Sequence, residues 1–263
     1  MTPTYPFPWG VIPGLLSSSI TGVHRIFKVD AQFIIKSLPN PLNVSGRENL
    51  PSCGPVVITA NHYSRPGFSM LWMAAAVSSL SSQDIRWVMT RAWTYPGMFR
   101  NYFLGGLSRF FLGQIARDYQ FIPMPAIPPQ PGEAIGRAMA IRKLFRLIAL
   151  EPQAIIGLAP EGQDIPGHTL GWPPPGAGRL ILELARKGFL IAPVGISENQ
   201  DCLCLNFGKI YPIELCGNIP AKEADHLVSQ ITMQHIARLL PLEMRGEFTD
   251  QNLAAESCPN VSQ

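Results

Sequence analysis

One short segment decides the fold class: residues 54–67, which read GPVVITANHYSRPG. Val56, Val57 and Ile58 form a β-branched run behind a Gly-Pro pair, and such a run predicts a buried strand. The polar residues 61–67 that follow predict a loop at the carboxyl end of this strand. Because sites in α/β sheets form at the carboxyl ends of strands, this loop is the first place to look for function.

Helical and strand patterns alternate through the rest of the chain. Helices are predicted at 68–80, 133–150, 179–187 and 221–240, and further strands at 86–90, 154–158 and 190–194. Strands that alternate with helices favour an α/β fold: a mixed, largely parallel sheet flanked by helices.

An N-terminal lead-in and a polar tail flank this region. Ser17 to Leu38 has the pattern of one amphipathic helix, closed by two prolines, that packs on another element. We therefore expect a helical, membrane-proximal segment at 1–41, an αβ domain at 42–242, and a polar tail without fixed structure at 243–263.

Composition excludes several classes of protein. Of 263 residues, 46% are hydrophobic and only 15% are charged, so the chain can bury a large core and is not disordered. The five cysteines include no Cys-x-x-Cys pair, which argues against a zinc site and against a disulfide framework. We therefore expect no metal site, and we expect the protein to lie in the reducing cytoplasm. The first charged residue is Arg25, so the positive region of a signal peptide is missing and export is not expected.

Charge is polarised along the chain, although the net charge is only +3. Residues 86–146 carry nine basic and two acidic side chains, whereas residues 198–256 carry four basic and nine acidic. In the basic part, arginines alternate with large apolar side chains such as Trp93, Phe99 and Phe110. This mixture suits an anionic membrane surface better than nucleic acid. A core with solvated arginines explains the same pattern equally well, and both interpretations stay open.

Two loops that follow strands carry the residues that could do chemistry. The first contains Asn61, His62, Ser64 and Arg65, and the second contains Pro160-Glu161-Gly162. A histidine can take a proton from a hydroxyl near neutral pH, and a glutamate on a neighbouring loop can hold a polar acceptor or the histidine itself. The two loops therefore predict an acid/base site, with a structural or surface histidine as the alternative.

Three short motifs stand in a characteristic order between Val44 and Ile196. They are Asn61-His62-Tyr63-Ser64, Pro160-Glu161-Gly162 and Ile191-Ala192-Pro193-Val194. The first resembles the Asn-His-x-Ser-x-x-Asp motif of the glycerolipid acyltransferases of the lysophosphatidate acyltransferase type. The second resembles their Phe-Pro-Glu-Gly-Thr-Arg motif, and the third resembles their closing Val-Pro-Val strand. All three in the right order make the chain similar to this family.

The resemblance implies a glycerolipid acyltransferase-like fold and an O-acyltransferase of phospholipid or related lipid metabolism. Such an enzyme moves a fatty acyl group from an acyl thioester, acyl-CoA or acyl carrier protein, to a hydroxyl of a lipid or lipid precursor. The thioester is a co-substrate, and no bound cofactor is implied. Because a thioester is already activated, the protein has to deprotonate the acceptor, hold both substrates and stabilise the oxyanion.

The resemblance also implies roles for individual residues and a location. His62 would be the general base, and the residues that bind substrate would be Asn61, Ser64, Arg65, Pro160, Glu161 and Gly162. The protein would lie at the cytoplasmic face of the membrane, as a peripheral or monotopic protein. Its partners would be the lipid acceptor, the acyl donor and the membrane surface.

Two departures from the family pattern bear on activity and on substrate. Gly67 stands where the first motif has its Asp, which would orient the imidazole and raise its basicity. Met124 and Asp164 stand where two other motifs have arginines that would grip a phosphate. We therefore expect an acceptor other than a simple lysophosphatidate or glycerol phosphate, unless Arg65, Arg91, Arg117 or Arg179 supplies the missing charge.

The missing Asp leaves two classes of function open. In an enzyme, His62 would be oriented by a backbone carbonyl, by Asn61, or by a carboxylate of Asp84, Asp118 or Glu161. The alternative is a catalytically silent relative that keeps the fold and binds lipid or acyl thioester at the membrane. A soluble enzyme that acts on a non-lipid alcohol is a third possibility.

Overall fold

Seven strands form one mixed sheet in the computed structural model. The structure describes residues 3–65, 67–91, 98–125, 133–163 and 169–248, and at 98–104 and 107 it describes the backbone alone. The strands are β1 (Asn43–Ser45), β2 (Val56–Ala60), β3 (Ile85–Thr90), β4 (Ile122–Met124), β5 (Ile155–Leu158), β6 (Leu190–Asn199) and β7 (Cys202–Phe207). Their order is β1-β7-β6-β2-β5-β3-β4, and only the β6–β7 pair is antiparallel. The predicted mixed, largely parallel sheet is confirmed.

Helices cover both faces of this sheet. They are α1 (Ile12–Thr21), α2 (Phe27–Lys36), α3 (Met70–Leu80), α4 (Met98–Asp118), α5 (Glu133–Leu150), α6 (Ala177–Arg186) and α7 (Ala221–Ala237). Val56, Ile58 and Ala60 of β2 pack with α2 and α3 on one face, and Val57 packs with α5, α6 and α7 on the other. A strand buried on both faces is apolar throughout, which explains the unbroken run in residues 56–58.

The N-terminal lead-in is two helices and not the single helix that was predicted at 17–38. Gly22 ends α1 in the left-handed conformation, with φ +70°, and α2 begins at Phe27. Glycine is the usual residue at this position because it has no Cβ to clash there. The prediction of one helix is therefore wrong, although a helical lead-in is present.

Four of the helices and strands were not predicted: α4, the short strands β1 and β4, and β7. The apolar side chains of α4 do not recur at helical spacing, and Phe110 and Phe111 stand side by side on its exposed surface. In β7, Leu203, Leu205 and Phe207 alternate with more exposed residues, the ordinary strand signal. Within the described ranges, no helix is both long enough and apolar enough to cross a bilayer.

The chain after α7 is more ordered than expected. Residues 242–244 form a 3-10 turn, and Phe248 is 5% exposed in a cluster with Leu170 and Met233. The expectation of a tail without structure from residue 243 is therefore wrong for 243–248. Residues 249–263 lie outside the described part of the chain.

Helices α6 and α7 approach each other closely at Gly178. A Cβ on Gly178 would overlap the carbonyl oxygen of Asp225 and would lie 2.6 Å from Oγ of Ser229. The Asp225 carboxylate accepts the backbone N–H groups of Gly176 and Arg179, each at 2.7 Å, so α7 also caps the start of α6. The close approach therefore depends on the absence of a side chain at position 178.

We expect Gly178→Ala to lower the free energy of unfolding by about 1–3 kcal/mol, because the added methyl group forces α6 and α7 apart. Gly113→Ala in α4 is the matched control, since a Cβ there meets no atom within 4 Å. The control should leave stability unchanged or raise it by up to about 1 kcal/mol. Urea unfolding of both variants checks this, and equal stabilities would contradict it.

Candidate active site

The two loops predicted to carry chemistry lie side by side because their strands are neighbours. Strands β2 and β5 pair in parallel, with Thr59 opposite Leu158, so both loops leave the same edge of the sheet. A small crevice forms where the loops meet. It is lined by Asn61, His62, Tyr63, Glu161, Thr169, Leu170 and Met244. The structure therefore brings His62 and Glu161 to one place, as predicted.

Glu161 links the two loops through its carboxylate. The residue is 1% exposed, and its carboxylate oxygens accept the backbone N–H of His62 at 2.5 Å and that of Gly171 at 2.8 Å. Charge-assisted hydrogen bonds of this kind are short and strong, so the carboxylate and both N–H groups hold each other in place. In this arrangement Glu161 fixes the backbone of the predicted base.

Asn61 ties the same loop to the strand on the other side of β2. Its side chain donates to the carbonyl oxygen of Ile196 at 2.9 Å and accepts the N–H of Ile196 at 2.8 Å. Asn61 is 2% exposed, and both of its polar atoms are bonded to the backbone of β6. This contact is structural, and the substrate-binding role expected for Asn61 stays a prediction.

Arg65 lies in a polar cluster with Glu198, Tyr5 and Tyr63, here called the Glu198 cluster. Its Nε and Nη2 donate to the two carboxylate oxygens of Glu198 at 2.6 and 2.7 Å. The hydroxyls of Tyr5 and Tyr63 donate to the same carboxylate at 2.7 and 2.9 Å, and Nη2 also donates to the carbonyl of Pro3 at 2.6 Å. With side chains only 15% and 9% exposed, the Arg65–Glu198 pair joins the N-terminal segment, the His62 loop and the end of β6.

The Glu198 cluster fixes the charge state of its members. Burial by itself would raise the pKa of Glu198, but the hydrogen bonds from Arg65, Tyr5 and Tyr63 outweigh burial and hold this pKa below its usual value. Burial and the bond to Glu198 raise the pKa of Tyr63 to about 12 and also raise the pKa of Tyr5. Glu198 is therefore an anionic acceptor at neutral pH, and both tyrosines are protonated donors.

Gly67, which the sequence analysis places at the position of the motif's Asp, occupies a backbone position that favours glycine. Its φ is +84°, in a tight turn closed by a hydrogen bond from the N–H of Phe68 to the carbonyl of Arg65 at 2.9 Å. Residues with a side chain are strained at such angles. A Cβ at this position would lie 3.8 Å from Nη1 of Arg65, so a carboxylate introduced here would start beside the guanidinium of Arg65.

Of the three carboxylates considered as partners for His62, Glu161 is the one in the site. Asp84 precedes β3 at the opposite edge of the sheet, where it accepts the N–H of Lys28 at 3.1 Å. Asp118 ends α4 and accepts a hydrogen bond from Gln114 at 3.0 Å. The position of these two residues removes them as candidates for orienting His62.

The remaining predicted site residues lie in different parts of the fold. Ser64 is half-buried in the His62 loop, and Gly162, with φ +67°, forms a turn after buried Pro160. Met124 lies on the edge strand β4, three strands from β2. Asp164 lies outside the described residues, so the expectation that it replaces a phosphate-binding arginine stays a prediction.

Sequence reasoning missed several residues that shape the site. Glu198 belongs to no motif and comes after the predicted end of its strand at 194. Gly171 lies in the Glu161 loop but outside its motif, and Met244 comes from a distant part of the chain. Among the described residues there is no group of three or more His, Cys, Asp or Glu placed to hold a metal ion.

Comparison with known proteins identifies the family. The sequence model of the Acyltransferase family matches residues 41–197, more than half of the chain, and this range contains both loops. The protein therefore belongs to the Acyltransferase family. No curated protein matches the sequence. Among solved structures, the chain is similar to the 1-acyl-sn-glycerophosphate (LPA) acyltransferase PlsC from Thermotoga maritima, with 14% identity and a TM-score of 0.45, over 86% of this chain and 88% of that chain.

Acid should weaken the Glu198 cluster. The folded pKa of Glu198 lies below its value in the unfolded chain, so its contribution to stability is complete above the unfolded pKa of about 4.3 and is lost as the pH falls through the folded pKa. At pH 7 we expect Glu198→Gln to lower the free energy of unfolding by about 2 kcal/mol, because the guanidinium of Arg65 loses its charged partner. Urea unfolding at pH 7 and at about pH 3 should show this difference shrinking at the lower pH.

The matched control for Glu198→Gln is Glu183→Gln. Glu183 pairs with Arg186 at 2.7 Å, but these side chains are 38% and 61% exposed, so the loss should stay below about 0.5 kcal/mol. An equal loss in the two variants at pH 7 would contradict a stabilising role for the Glu198 cluster.

Proposed function

We propose that this protein is an O-acyltransferase that uses His62 as general base to move a fatty acyl group from an acyl thioester to a hydroxyl of a lipid or lipid precursor. The observation that carries the proposal is the hydrogen bond from the backbone of His62 to Glu161, which unites two family motifs in one crevice. The donor we propose is acyl-CoA or acyl carrier protein.

The reaction needs one proton transfer at His62. As the acceptor oxygen attacks the thioester carbonyl, its proton passes to the imidazole, and the new C–O bond forms. The tetrahedral intermediate then loses the C–S bond, and the imidazolium returns the proton to the departing sulfur. Atoms and charge balance without a covalent enzyme intermediate. Glu161 takes no part in the proton transfer, because its carboxylate is already bonded to two backbone N–H groups.

The site offers another way to position His62 than the absent Asp. The His62 loop is held by Asn61 on the side of β6, by Glu161 on the side of β5, and by the Glu198 cluster beyond Arg65. Three such anchors restrict where the backbone that carries the imidazole can lie, and positioning of a catalytic group is itself a large part of catalysis. This arrangement favours an enzyme over the silent alternative.

The acceptor we propose is a lipid whose reacting end carries less charge than a simple lysophosphatidate. Met124 lies where the family has a phosphate-binding arginine, and its side chain offers no charge. Arg65, the nearest cation in the His62 loop, is already paired with Glu198. The backbone N–H of Arg179, at the start of α6, donates to Asp225. None of the described residues that line the crevice is a lysine or an arginine.

A membrane surface is the partner that best fits the N-terminal helices and α4. The N-terminal segment exposes large apolar side chains, among them Trp9 at 73% and Ile20 at 86%. Phe110 and Phe111 on α4, which packs on α1, are also exposed, at 68% and 55%. The apolar side chains of this surface are Phe7, Trp9, Leu16, Ile20, Val23, Ile26, Val29, Phe33, Phe110 and Phe111. We call this set the apolar face.

The aromatic and aliphatic side chains of the apolar face are of the kind that inserts into the surface of a membrane. Soluble monomers rarely expose contiguous apolar patches of this kind. Arg109 and Arg117 on α4 are exposed beside it, and cations of this kind attract anionic lipids. Phe110 thus lies at the surface and not in the core. Trp93 and the side chain of Phe99 lie outside the described structure. We propose a peripheral or monotopic protein at the cytoplasmic face of the membrane.

His62→Ala should abolish transfer. With palmitoyl-CoA as donor and extracted membrane lipids as a mixed acceptor pool, the wild type should release thiol and form a newly acylated lipid, identified by mass spectrometry. His62→Ala should be slower by about a hundredfold or more, because the acceptor loses its general base. His24→Ala is the control. His24 is exposed, and its Nδ1 lies 3.0 Å from the carbonyl oxygen of Arg117, away from the crevice lining.

The same assay tests the silent alternative. If the wild type and His62→Ala are equally inert with palmitoyl-CoA and with an acyl carrier protein donor, while palmitoyl-CoA still binds, the protein is a lipid-binding relative and the proposed reaction is wrong.

Substitutions on the apolar face should release the protein from lipid. The wild type should cosediment with vesicles of phosphatidylglycerol and phosphatidylcholine, and Trp9→Glu combined with Ile20→Glu should weaken this binding by about tenfold or more, because charges replace inserted apolar groups. Leu150→Glu is the control: Leu150 is 74% exposed but lies at the end of α5, on the opposite face of the sheet. Equal binding by both variants would rule out the apolar face as the docking surface.

A further inference from the structure

A polar groove lies on the sheet beyond the C-terminal end of α7. It has a volume of about 380 Å³ and is formed by β1, β6 and β7 together with residues 238–245. Here the sheet is apolar on one face only, because Leu203 and Phe207 point into the core while Cys204 and Asn206 line the groove. The size of the groove is within the range of small-molecule sites.

The groove is positively charged. Arg238 and Arg245 line it, and none of its described lining residues is Asp or Glu. The guanidinium of Arg238 is exposed and has no hydrogen bond or ion pair within the described residues, whereas Nε of Arg245 donates to the carbonyl of Leu240 at 2.9 Å. Asn43, Asn206 and Ser197 add polar groups to the same wall. Arginine side chains in one groove suit a phosphate, because the guanidinium carries a positive charge and several N–H donors.

Two contacts place the groove next to the candidate active site. Met244 lines the His62 crevice and its neighbour Arg245 lines the groove, so one turn borders both cavities. Ile196 is bonded to Asn61, and the residues on either side of Ile196, Gly195 and Ser197, line the groove. The crevice and the groove are therefore neighbours at the candidate active site, bordered by adjacent residues of one turn and connected through one strand.

We propose that this groove binds the phosphate-bearing part of a substrate, through Arg238 and Arg245. The inference rests on the proposed function, because it assigns the groove to a substrate of that reaction. A phosphate can belong to the donor, as in coenzyme A or the phosphopantetheine of a carrier protein, or to a phosphorylated acceptor. The donor is the expected source, because Met124 offers no charge at the position expected to bind the acceptor's phosphate and Arg65 is already paired with Glu198.

Binding without turnover tests the groove by itself. Isothermal titration calorimetry with coenzyme A and, separately, with sn-glycerol 3-phosphate measures each phosphate source on the full chain. Arg238→Gln and Arg245→Gln should each weaken the Kd for coenzyme A by about fivefold or more, and the effect should shrink at high salt. Lys222→Gln is the matched control, because Lys222 is an exposed cation at the opposite end of α7.

The outcomes separate this proposal from the proposed function. Weaker coenzyme A binding in the arginine variants supports the groove even if the protein transfers no acyl group. If glycerol 3-phosphate binding is weakened instead, the groove still binds phosphate, but that of the acceptor. If both probes bind Arg238→Gln as tightly as Lys222→Gln, or neither probe binds the wild type, the groove is not a phosphate site. Arg238 is exposed, so its variant is expected to fold.

Discussion

Two backbone N–H groups, those of His62 and Gly171, donate to a carboxylate that is almost completely buried, that of Glu161. A buried charge is tolerated only where hydrogen bonds replace its hydration, so the carboxylate and the two loops depend on each other. The sheet makes this contact possible, because parallel pairing of β2 with β5 brings both loops to the same edge. The position of the proposed base follows from this one interaction.

A second set of contacts connects the site to the surface proposed to meet the membrane. Tyr5 belongs to the Glu198 cluster, while Phe7 and Trp9, two and four residues further along, belong to the exposed apolar face. The N-terminal segment therefore reaches from the His62 loop to the surface that we propose to meet the membrane. On the other side of the site, the turn that carries Met244 and Arg245 separates the crevice from the basic groove. Under the two proposals, the acyl donor approaches His62 from the groove and the lipid acceptor approaches it from the apolar face.

Much of the fold could be predicted from local patterns, because β-branched runs and helical periodicity depend on neighbouring residues. The two chemical loops could be placed for the same reason, since each directly follows a strand. The anchors could not be predicted, because each joins residues far apart in sequence. Asn61 bonds to Ile196, and Arg65 bonds to Glu198, in both cases more than 130 residues away. Nothing in the local sequence specifies such pairs. Two features did have a local signal that was missed. Gly22 indicates the break between α1 and α2, and alternating apolar residues indicate β7.

Hydrogen exchange at two backbone amides tests the central claim most directly. If Glu161 acts by holding the His62 loop, the amides of His62 and Gly171 are strongly protected in the wild type. In Glu161→Gln, which loses the charge of the acceptor, they should exchange about tenfold faster or more, while the amides of Val57 and Ile156 in the sheet stay unchanged. Equal exchange of the His62 and Gly171 amides in both proteins would contradict the account.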